Sequence, residues 1–263
     1  MGTHRLGRRP EVGLWGPLTG TQNDDTLRWY GRRRGHKLRP GRQALIDELL
    51  PRLRLTTPAA AGALDLAATF SGPVTDIWIE IGFGAGEHLA AQARNHPDVG
   101  FIGCEPFVNG VAGLLSRVEK DGLANVRIFD DDARRLFAAL PGAVFGRVFA
   151  LYTDPWPKKR HHRRRFISDD TVETLIRLMK DDDQLRLASD HMGYVGWMLE
   201  HLTRCPQLVW GARSKRDWAE PPSDWVETRY EKKAKEKGLA AAYLCFTRRA
   251  RAADGSAPTL ENH

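Results

Sequence analysis

From Asp76 onward the sequence alternates between short apolar runs and stretches with helical spacing, and this alternation limits the fold more than any other feature. The runs are DIWIEI, GFIGCE, NVRIF, RVFALYT and QLRLAS. Each is apolar almost without interruption, as a strand buried on both faces has to be. Between them the spacing predicts helices starting near Gly86, Asn109, Asp132, Arg160 and Met192. Strand and helix in regular alternation build a parallel sheet with helices on both faces, so the expectation is one doubly wound α/β domain. A last strand is expected in AAYLCFTRR, Ala240 to Arg249.

The flanks are simpler. Residues 1–40 are rich in Arg, Gly and Thr and predict a basic, partly disordered N-terminal arm. GRQALIDELLPRL, Gly41 to Leu53, spaces Ala44, Leu45, Leu49 and Leu50 as a short amphipathic helix. Ala59 to Gly72 is small and apolar, a connection. The polar end AADGSAPTLENH predicts a disordered tail. With no repeat or linker, the domain is expected over 41–249 and the tail over 250–263.

The turn after the first run reads EIGFGAGEH, with Glu80, Gly82, Gly84 and Gly86 where strand gives way to helix. Glycines there permit a tight turn, close approach of a ligand to the backbone, and free N–H groups at the helix start. A dinucleotide fingerprint would need its third glycine at position 87, which is Glu87. Glu105 follows the second strand, nineteen residues after Gly86, and is placed to accept hydrogen bonds from a ribose diol. Acids at positions 80 and 87 would repel a pyrophosphate but suit a cofactor with a positive centre and an amino acid part. S-adenosylmethionine has both and a ribose; NAD is the competing cofactor, and a glycine turn with no ligand is the plain structural alternative. Asp130, Asp131 and Asp132 follow the third run. An acid there could bind an adenine amino group, and Asp132 is equally placed to cap a helix.

The densest chemistry lies in DPWPKKRHHRRR, Asp154 to Arg165. Asp154 ends the fourth strand, beside the point where an open α/β sheet reverses its strand order and binds ligands. Pro155 and Pro157 remove two backbone donors and stiffen the turn. Trp156 fits a core role better than base stacking. Lys158, Lys159, Arg160, Arg163, Arg164 and Arg165 place six permanent cations within eight residues. One by one they suit a solvated helix face; together, beside an acid, they suit a phosphate cradle, which Arg32, Arg33, Arg34, Lys37, Arg39 and Arg42 would extend. The overall balance, 40 Lys and Arg against 33 Asp and Glu, points the same way but weakly.

Other classes fit less well. The cysteines, Cys104, Cys205 and Cys245, are odd in number and far apart, which argues against a disulfide framework and fits a reducing compartment. His161 and His162 are adjacent and lack a carboxylate at ligand spacing, so no metal is expected. No signal peptide or long apolar stretch is visible; the expectation is a soluble, cytoplasmic protein without a membrane partner.

DPWPKKRHHRRR, together with IEIGFGAGEHL, GCEPF and TRYEKKAKEKG, resembles the bacterial tRNA (guanine-N7-)-methyltransferase family. The likeness runs in order over roughly Gly35 to Thr247, and the Asp-Pro-Trp-Pro block is specific to that family. It implies the methyltransferase version of the doubly wound, mostly parallel seven-stranded sheet, S-adenosylmethionine as cofactor, and a guanine in the variable loop of tRNA, at tRNA position 46, as substrate. It implies cofactor contacts from Glu80, Gly82, Gly84, Gly86, Glu105, Asp132 and Asp154, with Asp154 also catalytic. It implies tRNA or guanine contacts from Lys158, Asp190, Thr228, Arg229, Tyr230 and Glu231, in a monomer or a homodimer. Family members often carry proline before the loop aspartate, where Thr153 stands here. Three alternatives remain: an amino-group methyltransferase acting on DNA or protein, a nicotinamide oxidoreductase, and a non-catalytic RNA-binding protein. Alkali- and aniline-labile product, stabilisation by NAD, and the purpose of an intact Glu80, Glu105 and Asp154 set separate them.

Overall fold

The computed structural model describes residues 30–58 and 60–251. The first apolar run forms β1, Asp76–Ile81, in which Ile77, Ile79 and Ile81 join the core on one face and Trp78 the core on the other. Alternating side chains and two buried faces explain the unbroken apolar run. The chain continues through α3 (Glu87–Asn95), β2 (Val99–Cys104), α4 (Val108–Asp121), β3 (Val126–Phe129), α5 (Ala133–Phe137) and β4 (Phe145–Leu151). Then come α6 (Asp169–Leu178), β5 (Met179–Ser189), α7 (Met192–Thr203), β6 (Leu208–Trp210), α8 (Arg216–Ala219), α9 (Arg229–Glu236) and β7 (Ala242–Arg248). Ahead of β1, α1 (Pro40–Ala44) and α2 (Leu50–Leu53) precede a short connection.

The sheet order is β3-β2-β1-β4-β5-β7-β6, parallel from β3 to β5 and antiparallel at β7 and β6. The chain leaves β1 toward β2 and β3, then returns to β4 on the other side. The reversal point therefore lies between β1 and β4, where a doubly wound sheet opens a crevice at its carboxyl ends. Helices α3 and α4 pack Leu89, Leu114 and Leu115 on one face; α6 and α7 pack Leu175, Tyr194 and Met198 on the other. Each fully enclosed leucine contributes about 1.5–3 kcal/mol through burial. Local signals set the helix ends: Ser168 and Thr171 form a capping box at α6, and Gly122 ends α4 at φ 63°.

The expected strands and the seven-stranded sheet are present. The expected helix over 41–53 is divided by a π-helical turn, Leu45–Leu49, just before Pro51, whose missing N–H interrupts the ordinary α register. The helix expected near Arg160 is a 3₁₀ turn, Lys159–Arg164. The edge strand β6, three residues long, is too short to show a period. Of the expected arm, residues 1–29 lie outside the described residues; Arg33 and Gly35 bond to Val108 and Asn109 at the start of α4. Most of the expected tail, 252–263, also lies outside them. Among the described residues no helix is long and apolar enough to cross a membrane, and no group of three or more His, Cys, Asp and Glu could hold a metal.

Candidate functional site

At the carboxyl ends of β1, β2 and β4 lies a cavity of about 340 Å³. Of the cofactor, catalytic and substrate residues expected from sequence, Gly82, Gly84, Glu105, Asp132, Asp154 and Tyr230 line it. Glu80, Gly86, Lys158, Asp190, Thr228, Arg229 and Glu231 do not.

The glycine turn explains the first division. Gly86, at φ 75°, begins α3 against α4, where a Cβ would stand 2.8 Å from that of Leu114. Its service is close helix packing. Gly84, at φ 58°, faces the cavity under the Tyr230 ring, 2.9 Å from where a Cβ would sit. Glu80 points beneath the turn, buried, with its carboxylate 2.7 Å from Nδ1 of His88 on α3. It ties the turn to the first helix.

Glu105 holds the turn from the other side. Its Oε2 accepts the Gly84 N–H and its Oε1 the Phe107 N–H, both at 2.9 Å. Burial raises its pKa to about 7, with Asp154 adding to the rise; the two N–H donors and Arg229 oppose it. Cys104 beside it is buried, and burial, with the charges of Asp132 and Glu105, pushes its thiol well up, so it stays neutral.

Of the three consecutive acids, Asp132 alone faces the cavity. It caps α5 by accepting the Arg134 N–H, and the Arg134 guanidinium grips both its oxygens at 2.9 and 2.5 Å. Asp131 pairs with Arg33 and Asp130 with Arg54. The capping role and the cavity-facing position thus coincide in one residue.

Asp154 stands at the lip. Its carboxylate makes no hydrogen bond among the described residues and stays open to solvent on one side, while the cavity walls desolvate it enough to raise its pKa. The backbone turns through positive φ at Tyr152, 54°, and at Trp156, 38°, on either side of it. Trp156 is not in the core: it lines the cavity edge-on to Tyr30, and Arg164 lies 4.3 Å above the Tyr30 ring and 5.0 Å above the Trp156 ring. A left-handed backbone turns the indole outward, which residue type alone could not signal. Lys158, Lys159, Arg160 and Arg163 are exposed, whereas Arg165 is buried.

On the far wall Thr228 caps α9, and Tyr230, beneath the guanidinium of Arg229, reaches the cavity. Glu231 is fully buried; it accepts from Trp225 Nε1 at 2.6 Å, Tyr243 hydroxyl at 2.7 Å and Lys235 Nζ at 2.8 Å. Asp190 follows β5, near enough to Tyr152 to help raise that phenol's pKa, which burial chiefly drives. Tyr30, Arg134 and Tyr152 also line it without having been singled out from sequence, and Arg32 and Arg164 bring one cation to it from each of the two basic clusters. Tyr152 was readable only as part of the apolar run RVFALYT, and Tyr30 comes from a segment without apolar period.

A family model described as "Putative methyltransferase" matches residues 75–244. A tRNA (guanine-N(7)-)-methyltransferase of Rhodospirillum rubrum is 49% identical over 232 residues, covering 88% of this chain and 91% of that protein. One from Nitrobacter hamburgensis is 47% identical, covering 86% and 88%. Among solved structures, the 16S rRNA methyltransferase KamB superposes with a TM-score of 0.50 at 15% identity, over 67% of this chain and 89% of its own. That last likeness speaks for the fold alone.

Proposed function

The chain belongs to the tRNA (guanine-N(7)-)-methyltransferase family, and from that premise we propose how its own residues perform the reaction. The protein transfers a methyl group from S-adenosylmethionine to N7 of a guanine in tRNA. We assign the variable-loop guanine, position 46, as the target. A tRNA substrate suits the cytoplasmic location expected from the sequence.

The observation that carries the residue assignments is the meeting of Glu105 and an unpartnered Asp154 in one cavity at the sheet's reversal point, with the exposed cations beginning four residues further on. The cavity suits the cofactor: apolar walls from Ile81, Phe107 and Ala133 sit beside two carboxylates that gain from a nearby positive charge. When bound, S-adenosylmethionine supplies an electrophilic methyl group on a positive sulfur. Glu105, its pKa raised while no cation is present, accepts from the ribose hydroxyls, and Asp132 from the adenine amino group. Gly82 and Gly84 let the ligand approach the backbone, and Glu80 keeps their turn in place through His88.

Guanine N7 has a lone pair and no proton to remove, so the site needs alignment and charge management rather than a strong base. Asp154 faces the base, accepts from its N–H groups and stabilises the positive charge that grows on the purine. Tyr230, in the helix that Thr228 caps and beneath Arg229, forms the opposite wall, with Asp190, Thr228, Arg229 and Glu231 setting its position or meeting the base edge. Lys158, Lys159, Arg160 and Arg163 take phosphates. A guanine inside folded tRNA has to swing out to reach this cavity, at a cost of a few kcal/mol in lost stacking.

The test is transfer of labelled methyl to unmodified tRNA transcripts, followed by aniline cleavage to locate the product. Cleavage at one variable-loop guanine, lost when that guanine is replaced, supports the assignment. Label without cleavage removes N7 as the acceptor atom.

A further inference from the structure

The basic run contains one cation that cannot serve the phosphate backbone. Arg165 is 5% exposed, in contrast to Lys158, Lys159, Arg160 and Arg163. Its guanidinium lies 5.3 Å from the Tyr194 ring centre and 4.9 Å from that of Trp197, both on α7. Its Nε donates to the carbonyl of Pro155 at 2.8 Å. No carboxylate pairs with it among the described residues. A desolvated guanidinium between aromatic faces is stabilised by their quadrupoles, and its planar fork fixes where its donors point.

Pro155 follows Asp154, and among the described residues Asp154 has no hydrogen-bonding side-chain partner to orient it. The direction of its carboxylate is therefore set by the loop backbone. That backbone is held at three points: the Tyr152 N–H donates to Ala188, the Thr153 hydroxyl meets the Tyr194 hydroxyl at 3.1 Å, and Pro155 meets Arg165. The first two lie before Asp154; among the described residues Arg165 makes the hydrogen bond that holds Pro155, directly after it, and Trp156 beyond packs against Tyr30, His161 and Arg164. Positive φ at Tyr152 and Trp156 makes the loop costly to keep in this shape, so it depends on those anchors. The same cluster is tied to the segment just before α6, since Trp197 Nε1 donates to the Ile167 carbonyl at 2.7 Å.

We propose that Arg165 is a positioning residue for methyl transfer: clamped between Tyr194 and Trp197, it holds the Pro155 carbonyl and thereby aims the Asp154 carboxylate into the cavity. This rests on the role assigned to Asp154 above. It separates the basic run into an outer set that meets RNA and one inner member that shapes the catalytic loop.

The test compares Arg165→Lys and Arg165→Met with Arg163→Gln, a change on the exposed side of the same turn. For each, kcat and KM on tRNA, the salt dependence of tRNA binding, and the thermal midpoint are measured. Arg165→Lys keeps the charge but loses the planar Nε donor. It should lower kcat about 10- to 100-fold, as a displacement near 1 Å does, while the tRNA KM and the salt slope stay within error of wild type. Arg163→Gln should raise KM and take about one from the salt slope. Wild-type kcat in Arg165→Lys, or a salt slope reduced as in Arg163→Gln, overturns the proposal. If the Arg165 variants do not fold, Trp197→Leu removes one aromatic face of the clamp without touching charge, and an unchanged kcat there overturns it equally. Absence of transfer by the wild-type enzyme would instead count against the substrate assignment.

Discussion

Gly110, in the first turn of α4, lies so close to Gly84 that a Cβ on it would stand 2.3 Å from the Gly84 carbonyl oxygen. Helix and glycine turn touch backbone to backbone, and Glu105 closes the same contact from the side through the Gly84 N–H. Gly110→Ala should therefore push the turn into the cavity and cost about 1–3 kcal/mol, with weakened cofactor binding. Gly196→Ala, in α7 where a methyl would meet nothing within 4 Å, should instead stabilise by roughly 0.5–1 kcal/mol. Thermal midpoints of the two variants with and without S-adenosylmethionine check both; equal shifts would deny the close contact.

Glu105 predicts a proton linked to cofactor binding. With its pKa raised from 4.5 to about 7, the folded protein without ligand holds a proton that the unfolded chain has lost. Stability should thus fall as pH rises through that window, by about 3 kcal/mol in all. A cation in the cavity favours the carboxylate, so binding should release a proton near pH 6.5 and tighten toward pH 7.5. Titration calorimetry in buffers of different ionisation enthalpy reads the release directly. Glu105→Gln should abolish it; a proton release that persists would assign it elsewhere.

The sheet was legible because strands buried on both faces leave unbroken apolar runs, and β1 begins and ends where DIWIEI does. Glu105 was legible for a related reason: the doubly wound fold puts the residue after β2 beside the glycine turn. What was not legible depends on backbone angles and on side-chain direction. Trp156 left the core because its φ is positive, and Arg165 entered it because α7 offers two aromatic faces. A run of six cations carries no mark of which one turns inward. Glu80 and Gly86 were rightly placed at the turn, but they support it from behind rather than facing the cavity.

Glu231 is expected to act on α9 as much as on substrate. Burial would raise its pKa, but Lys235, Trp225 and Tyr243 outweigh that and lower it. Its stabilising contribution is present above the ordinary glutamate pKa and is lost as pH falls through the lowered one. Glu231→Ala leaves the Trp225 and Tyr243 donors unpaired and should cost about 3 kcal/mol. A lower thermal midpoint accompanying lost activity fits this; lost activity at an unchanged midpoint would make Glu231 a direct contact only.

Asp154 is the residue on which the chemistry turns, and two kinds of role separate cleanly. If it stabilises charge on the purine, it contributes in the transition state and little in the complex that precedes it. Asp154→Asn should then lower kcat by roughly 10²–10³ while cofactor affinity changes little. Partial desolvation raises its pKa above the usual aspartate value, so the acid limb of kcat should lie above that of a fully solvated carboxylate. The activity it supports is lost as pH falls and the group takes up a proton. In Asp154→Asn that limb should vanish from the residual rate. Loss of S-adenosylmethionine binding by a folded Asp154→Asn would place the carboxylate on the cofactor instead, and a limb that remains would belong to another acid of the cavity.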